Sequence, residues 1–189
     1  MSGTFANMSD SEFRGIVFDA MKHPHIQFIL NEMSLMGCKV DRRFVHVEDC
    51  DEKVGGGFRP PDGIVLCKNR LQTRSEVKNT LQHELIHAYD HCRAKNLDWS
   101  DCEMQACSEI RAAALSGDCQ WKFEFLRGKL SGLGVVGNGG HFQKCLRRRA
   151  ELSVSMKPHC RGARARDAVS AVFPECFRDT APFPPDKYP

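Results

Sequence analysis

The chain has 189 residues, 41% hydrophobic and 27% charged, with a formal net charge of +3. That is enough for one medium domain with its own core over about residues 10–178, followed by a Pro-rich tail over 179–189. No run of 18 apolar residues offers a transmembrane helix, and the first ten residues lack the layout of a secretory signal or a mitochondrial presequence, so sorting signals alone read as cytosolic.

Ser9 and Glu12 make an S-x-x-E capping box that opens a helix through about Met21, and Pro24 opens a second helix that ends near Gly37. The β-like region follows. Residues 44–47 and 63–67 read as short strands, separated by Gly55, Gly56, Gly57 and the pair Pro60-Pro61. Where an extended substrate adds to a sheet beside a cleft, it pairs with an edge strand. Either strand could serve, or the sheet could only cover the helices.

Thr73 and Glu76 repeat the capping box and open a third helix, whose apolar residues Val77, Leu81, Leu85, Ala88 and Cys92 form one stripe up to about Ala94. His83-Glu84-Leu85-Ile86-His87 lies within it and reads H-E-x-x-H. Two histidines four apart project from one helix face, so both imidazoles can reach a single zinc ion. Glu84 stands beside them as a carboxylate able to take a proton from the attacking water without being a ligand. The bland alternative is two helix histidines that only pack or hydrogen-bond.

His91 continues the row, but at 1.5 Å per residue it lies about 12 Å from His83 along the axis, so the three histidines cannot share one ion. The metzincin pattern needs a histidine where this chain has Arg93. Asp90 is either a partner that orients a ligand histidine or a surface charge.

A catalytic zinc takes three protein ligands and keeps a position for water. Ser100 and Glu103 suggest another capping box, starting a fourth helix that runs through Cys102, Ala106, Ile110, Ala113 and Ala114 towards Gly117. Glu109, mid-helix beside the small residues Ala112 and Ala113, is the expected third metal ligand; its alternative is a solvated carboxylate. Helix, turn and a second helix offering Glu is the gluzincin arrangement. The expected fold is therefore α+β, a mostly helical zincin-like (gluzincin-type) domain with a small sheet before the active-site helix.

Residues 121–126 look helical, and the glycine-rich stretch 131–140 reads as a mobile loop. His141, directly after it, is a candidate stabiliser of the developing oxyanion, against a structural helix-start histidine. His159 is a weaker candidate. From Pro174 onward the Pro-rich composition suggests a segment that lies across the surface or dangles.

Residues 144–166 hold Lys144, Arg147, Arg148, Arg149, Lys157, Arg161, Arg164 and Arg166 against Glu151 alone. Such a patch attracts an anionic lipid surface, or is a plainly solvated basic face. Nothing here has the aromatic interleaving, zinc finger or basic-zipper pattern of a nucleic-acid binder.

Ten cysteines, Cys38, Cys50, Cys67, Cys92, Cys102, Cys107, Cys119, Cys145, Cys160 and Cys176, are dispersed with no C-x-x-C pair, a layout that suits disulfides better than a zinc ribbon. A Cys92–Cys102 bridge would tie the third helix to the fourth. The alternative is ten free, buried thiols. An oxidised protein without a secretory signal points to the mitochondrial intermembrane space.

Three runs together, His83-Glu-Leu-Ile-His87-Ala-Tyr-Asp90, Cys107-Ser-Glu-Ile-Arg-Ala112 leading to Leu115-Ser-Gly-Asp-Cys119, and Cys145-Leu-Arg-Arg-Arg-Ala150, resemble the Atp-twenty-three family of mitochondrial inner-membrane-associated metalloproteases over roughly residues 10–178. The resemblance implies a protein peripheral to the inner membrane on its intermembrane-space side. It implies maturation of subunit a of ATP synthase and a chaperone-like role in assembling that membrane sector. It carries over His83 and His87 as zinc ligands and Glu84 as the catalytic residue, while Glu109 rests on spacing. Two other classes remain open: a disulfide-stapled assembly chaperone without proteolysis, and a nuclear or cytosolic partner-binding protein with reduced thiols.

Overall fold

Ser9 and Glu12 cap the first helix reciprocally, the Glu12 amide donating to Ser9 Oγ at 3.3 Å and the Ser9 amide to Glu12 Oε2 at 2.9 Å. The computed structural model describes residues 5, 8–38, 40–41, 43–94, 97–120 and 140–185. The chain divides into two compact units, Met1–Lys95 and Asn96–Pro189.

In the first unit, α1 (Asp10–Met21) and α2 (Pro24–Leu35) pack on α3 (Arg74–Arg93), which opens at the Thr73/Glu76 capping box. Phe13, Ile16, Ile26, Ile29, Met33, Val77, Leu81 and Leu85 on these helices, with Ile64 and Leu66 of the sheet, are buried. Each such side chain contributes about 1.5–3 kcal/mol through removal from water. A bridge between Cys38 and Cys92 ties the chain after α2 to the last turn of α3.

The sheet has three strands, one more than expected: β1 (Val45–Glu48), β2 (Gly56–Arg59) and β3 (Gly63–Cys67), in the order β1-β3-β2. β1 runs parallel to β3 and β2 antiparallel to it. The glycines taken to separate two strands build the third. A Cβ at Gly56 would stand 2.6 Å from the Val65 carbonyl oxygen. Gly63, with φ +117°, would place one 2.2 Å from the Phe44 carbonyl oxygen. Close backbone approach therefore requires glycine where strand propensity would exclude it. A second bridge, Cys50–Cys67, pins the end of β3.

The second unit is helical: α4 (Cys102–Leu115), α5 (Gly140–Val154) and α6 (Ala163–Cys176). Its core joins Ala106, Ile110, Ala113, Leu146, Ala150, Val154, Ala168, Val169 and Phe173. Small residues along α4 let its neighbours approach closely. The cap of α4 is Asp101, whose carboxylate accepts from the Glu103 and Met104 amides at 2.8 Å each; the expected cap, Ser100, instead donates its hydroxyl to Asp98.

Three bridges staple this unit: Cys102–Cys160, Cys107–Cys176 and Cys119–Cys145. The bridge considered between Cys92 and Cys102 does not form, since Cys92 pairs with Cys38 and Cys102 with Cys160; spacing along the chain does not report which sulfurs meet in space. No free cysteine remains.

Residues 179–183, after α6, are held in place. The buried guanidinium of Arg111 pairs with Asp179 Oδ1 at 2.6 Å and donates to the Ala181 carbonyl at 2.6 Å and to the Asp179 carbonyl, while Phe183 is buried. Pro174 sits inside α6, so the irregular tail begins later than composition suggested. Residues 121–126 and 131–139, read as a helix and a mobile loop, lie outside the described residues.

Candidate active site

The apolar stripe of α3 turns Leu81 and Leu85 into the first unit's core, and the adjoining helix face carries His83, Glu84 and His87. Glu84 and His87 are buried, at 7% and 5% exposure, and His83 is half-buried. The two imidazoles meet edge to face, with ring centroids 4.9 Å apart and Nε2 atoms 3.1 Å apart.

That separation can be compared with metal geometry. Two imidazole nitrogens bound tetrahedrally to one first-row cation at about 2.0–2.1 Å stand about 3.3 Å from each other. The spacing of the pair therefore fits two ligands of one ion. Either nitrogen could also donate to the other, and Glu84 is buried on the same helix.

Residues 15–184 match the peptidase M76 family. The chain belongs to that family.

Peptidase M76 relatives include the mitochondrial inner membrane protease ATP23 of Yarrowia lipolytica, 40% identical over 161 residues, and that of Schizosaccharomyces pombe, 38% identical over 161 residues. The counterpart in Neosartorya fischeri is 40% identical over 162 residues. Each match takes in 85% of this chain. This chain spans 62% of the Yarrowia protein, 84% of the Schizosaccharomyces protein and 66% of the Neosartorya protein. No solved structure matches the chain.

Around the histidine pair of this M76 chain, the structure sorts the remaining candidates. Asp90 is buried at 4% exposure with Oδ1 3.1 Å from Arg93 Nε, so it is not a surface charge. His91 is exposed and its ring lies 5.7 Å from that of Phe58 on β2, consistent with its exclusion from the ligand set. β3 is the central strand, which removes it as a substrate-pairing edge and leaves β1 and β2. β2 packs on α3. Because Cys67 N–H donates to the Gly55 carbonyl and Gly57 faces Val65, the backbone groups of Gly56 and Phe58 point away from β3.

In the second unit Glu109 is buried on α4, and the Ser153 hydroxyl of α5 donates to its Oε1 at 2.5 Å. Nothing in the sequence pointed to Ser153, because the contact joins positions 44 apart. His141 lies in the first turn of α5, half-buried, with a buried Nε2 that has no hydrogen-bond partner.

The basic run is less free than its composition implied. Arg147 stacks over the Phe173 ring at 3.7 Å, Arg149 pairs with buried Asp118 at 2.8 Å, and Lys157 donates to the Trp99 carbonyl. Lys144, Arg161, Arg164 and Arg166 are exposed.

Proposed function

We propose that this chain is a zinc-dependent endopeptidase of the mitochondrial intermembrane space, peripheral to the inner membrane. In this reading it matures subunit a of ATP synthase and assists assembly of that membrane sector. The observation that carries the chemistry is the Nε2 pair of His83 and His87, 3.1 Å apart, with Glu84, the residue after His83, buried on the same helix.

His83 and His87 hold the ion through Nε2, and Glu109 is assigned as the third ligand from its position on α4 and its burial. Bound zinc supplies a Lewis acid that lowers the pKa of water towards neutrality and polarises the peptide carbonyl. Glu84 takes the proton of the attacking water and then delivers it to the departing amine. His141, whose buried Nε2 has no hydrogen-bond partner, is assigned to the developing oxyanion. The outward backbone groups of Gly56 and Phe58 on β2 pair with an extended substrate.

Location follows from different features. Five disulfides suit an oxidising compartment. The relatives are named as inner membrane proteases, and no helix among the described residues is long and apolar enough to cross a membrane. Lys144, Arg161, Arg164 and Arg166 supply exposed charge for anionic lipid, each contributing on the order of 1 kcal/mol near the surface.

The test is cleavage of detergent-solubilised subunit a precursor by the purified full chain. Cleavage that a chelator stops and added zinc restores is expected. A precursor left intact by the zinc-loaded protein, or cut equally after chelation, would reject the assignment.

A further inference from the structure

At the start of α4 a disulfide and a histidine lie together. Cys102 is the first residue of that helix and is bridged to Cys160, and His159 precedes Cys160 in the short turn Pro158–Cys160. The two sulfurs and one ring nitrogen of His159 all lie within 4.8 Å of one another. Among the described residues, no other bridge stands in such a group.

One ring nitrogen of the histidine is held by the backbone. His159 Nε2 is 2.7 Å from the Ser100 carbonyl oxygen. A carbonyl only accepts, so Nε2 carries the proton and Nδ1 keeps its lone pair. Metal-binding histidines are commonly held in this way, the second nitrogen donating to a backbone carbonyl.

We propose that Cys102, Cys160 and His159 form a zinc site within the second unit whenever the Cys102–Cys160 bridge is reduced. Two glutathione thiols supply the two electrons; the S–S bond breaks to two cysteine thiols, and glutathione disulfide leaves. Zinc then binds both sulfurs as thiolates and releases their two protons. With Zn–S near 2.3 Å and Zn–N near 2.0–2.1 Å, the donors of such a site stand about 3.5–3.8 Å apart. The present cluster reaches that spread once the sulfurs part by about 2 Å through side-chain rotation.

Access and charge agree with this. Cys102 is half-buried and His159 exposed, so a glutathione thiolate can attack from the solvent side. A cysteine at a helix N-terminus is favoured as thiolate. The fourth position falls to water. The bridge thereby becomes the one whose redox state answers to zinc, because zinc stabilises the dithiol by mass action and has no affinity for the disulfide.

The experiment equilibrates the full chain in a glutathione buffer of fixed ratio, with and without buffered free zinc, followed by acid quench, alkylation and mass mapping of all five bridges. Zinc should raise the dithiol-to-disulfide ratio of Cys102–Cys160 about tenfold or more and leave the other four unchanged. The same comparison within His159→Ala should show no zinc effect; because each variant is its own zinc-free control, altered bridge stability does not confuse the result. No rise in the wild type, an equal rise in His159→Ala, or a rise at every bridge would overturn the proposal.

Discussion

His83 Nε2 lies 3.1 Å from His87 Nε2 across one turn of α3. The helical period alone brings i and i+4 side chains together, but it does not aim the same ring nitrogen of each at a common point. Side-chain rotamers do, and with His87 buried and His83 half-buried the surrounding packing limits them. The resulting distance suits metal binding.

If that pair holds the ion, His83→Ala and His87→Ala each leave a site one ligand short. Zinc content measured by mass spectrometry should fall from one per chain to near zero in both variants, while the far-ultraviolet circular dichroism stays that of the wild type. Full occupancy in either variant would place the metal elsewhere.

Ser153 gives the proposed third ligand a fixed direction through its hydrogen bond to Glu109 Oε1. Loss of a group that orients a metal ligand typically costs 10–100-fold in affinity, so Ser153→Ala should weaken zinc binding by about that factor in a chelator competition. Glu109→Ala should weaken it further. Unchanged affinity in both would remove Glu109 from the ligand set.

Arg111 is the largest polar group sealed inside the second unit, 1% exposed and committed to Asp179 and to two backbone carbonyls. Arg111→Met keeps the volume and strands those partners, a loss on the order of 3 kcal/mol. Chemical denaturation should show that loss, and limited proteolysis should cut the segment after α6 faster. A variant as stable as wild type would mean the segment is held by Phe183 alone.

His23 caps α2 with its ring, Nδ1 accepting from the His25 amide at 3.4 Å. Burial, then the charges of Lys78 and His25, hold its pKa below the ordinary histidine value. The native state thus prefers the neutral ring that the cap needs. Its contribution is complete above about pH 6.5 and is lost as pH falls through the depressed native value. The denaturation midpoint should therefore drop on going from pH 7.5 to pH 5, and drop less in His23→Ser, which caps without titrating. Equal drops would assign the acid sensitivity to other groups.

The parts of this protein written in short spans were readable from its sequence. Capping boxes at Ser9/Glu12 and Thr73/Glu76 mark the starts of α1 and α3, since both partners lie within four residues. The H-E-x-x-H run needed no more than a helix to place its histidines. Long-range facts were not legible. Glycine at position 56 answers to the Val65 carbonyl, a contact that no propensity scale contains, so β2 went unseen. The competition between Ser100 and Asp101 for the α4 cap was decided by Asp98, which takes the serine hydroxyl. Disulfide partners lie up to 69 residues apart, beyond what spacing encodes. The local partners of the basic run were not legible for a related reason, because Arg147 stacks on Phe173 and Arg149 pairs with Asp118, contacts made across the fold.

Glu84→Gln tests the proposed chemistry most directly, because it removes the proton acceptor and leaves His83 and His87 in place. Incubated with the subunit a precursor, the zinc-occupied variant should show no cleavage while wild type cleaves under the same conditions. Cleavage by Glu84→Gln at a rate near that of wild type would contradict the assignment of this helix as the catalytic centre.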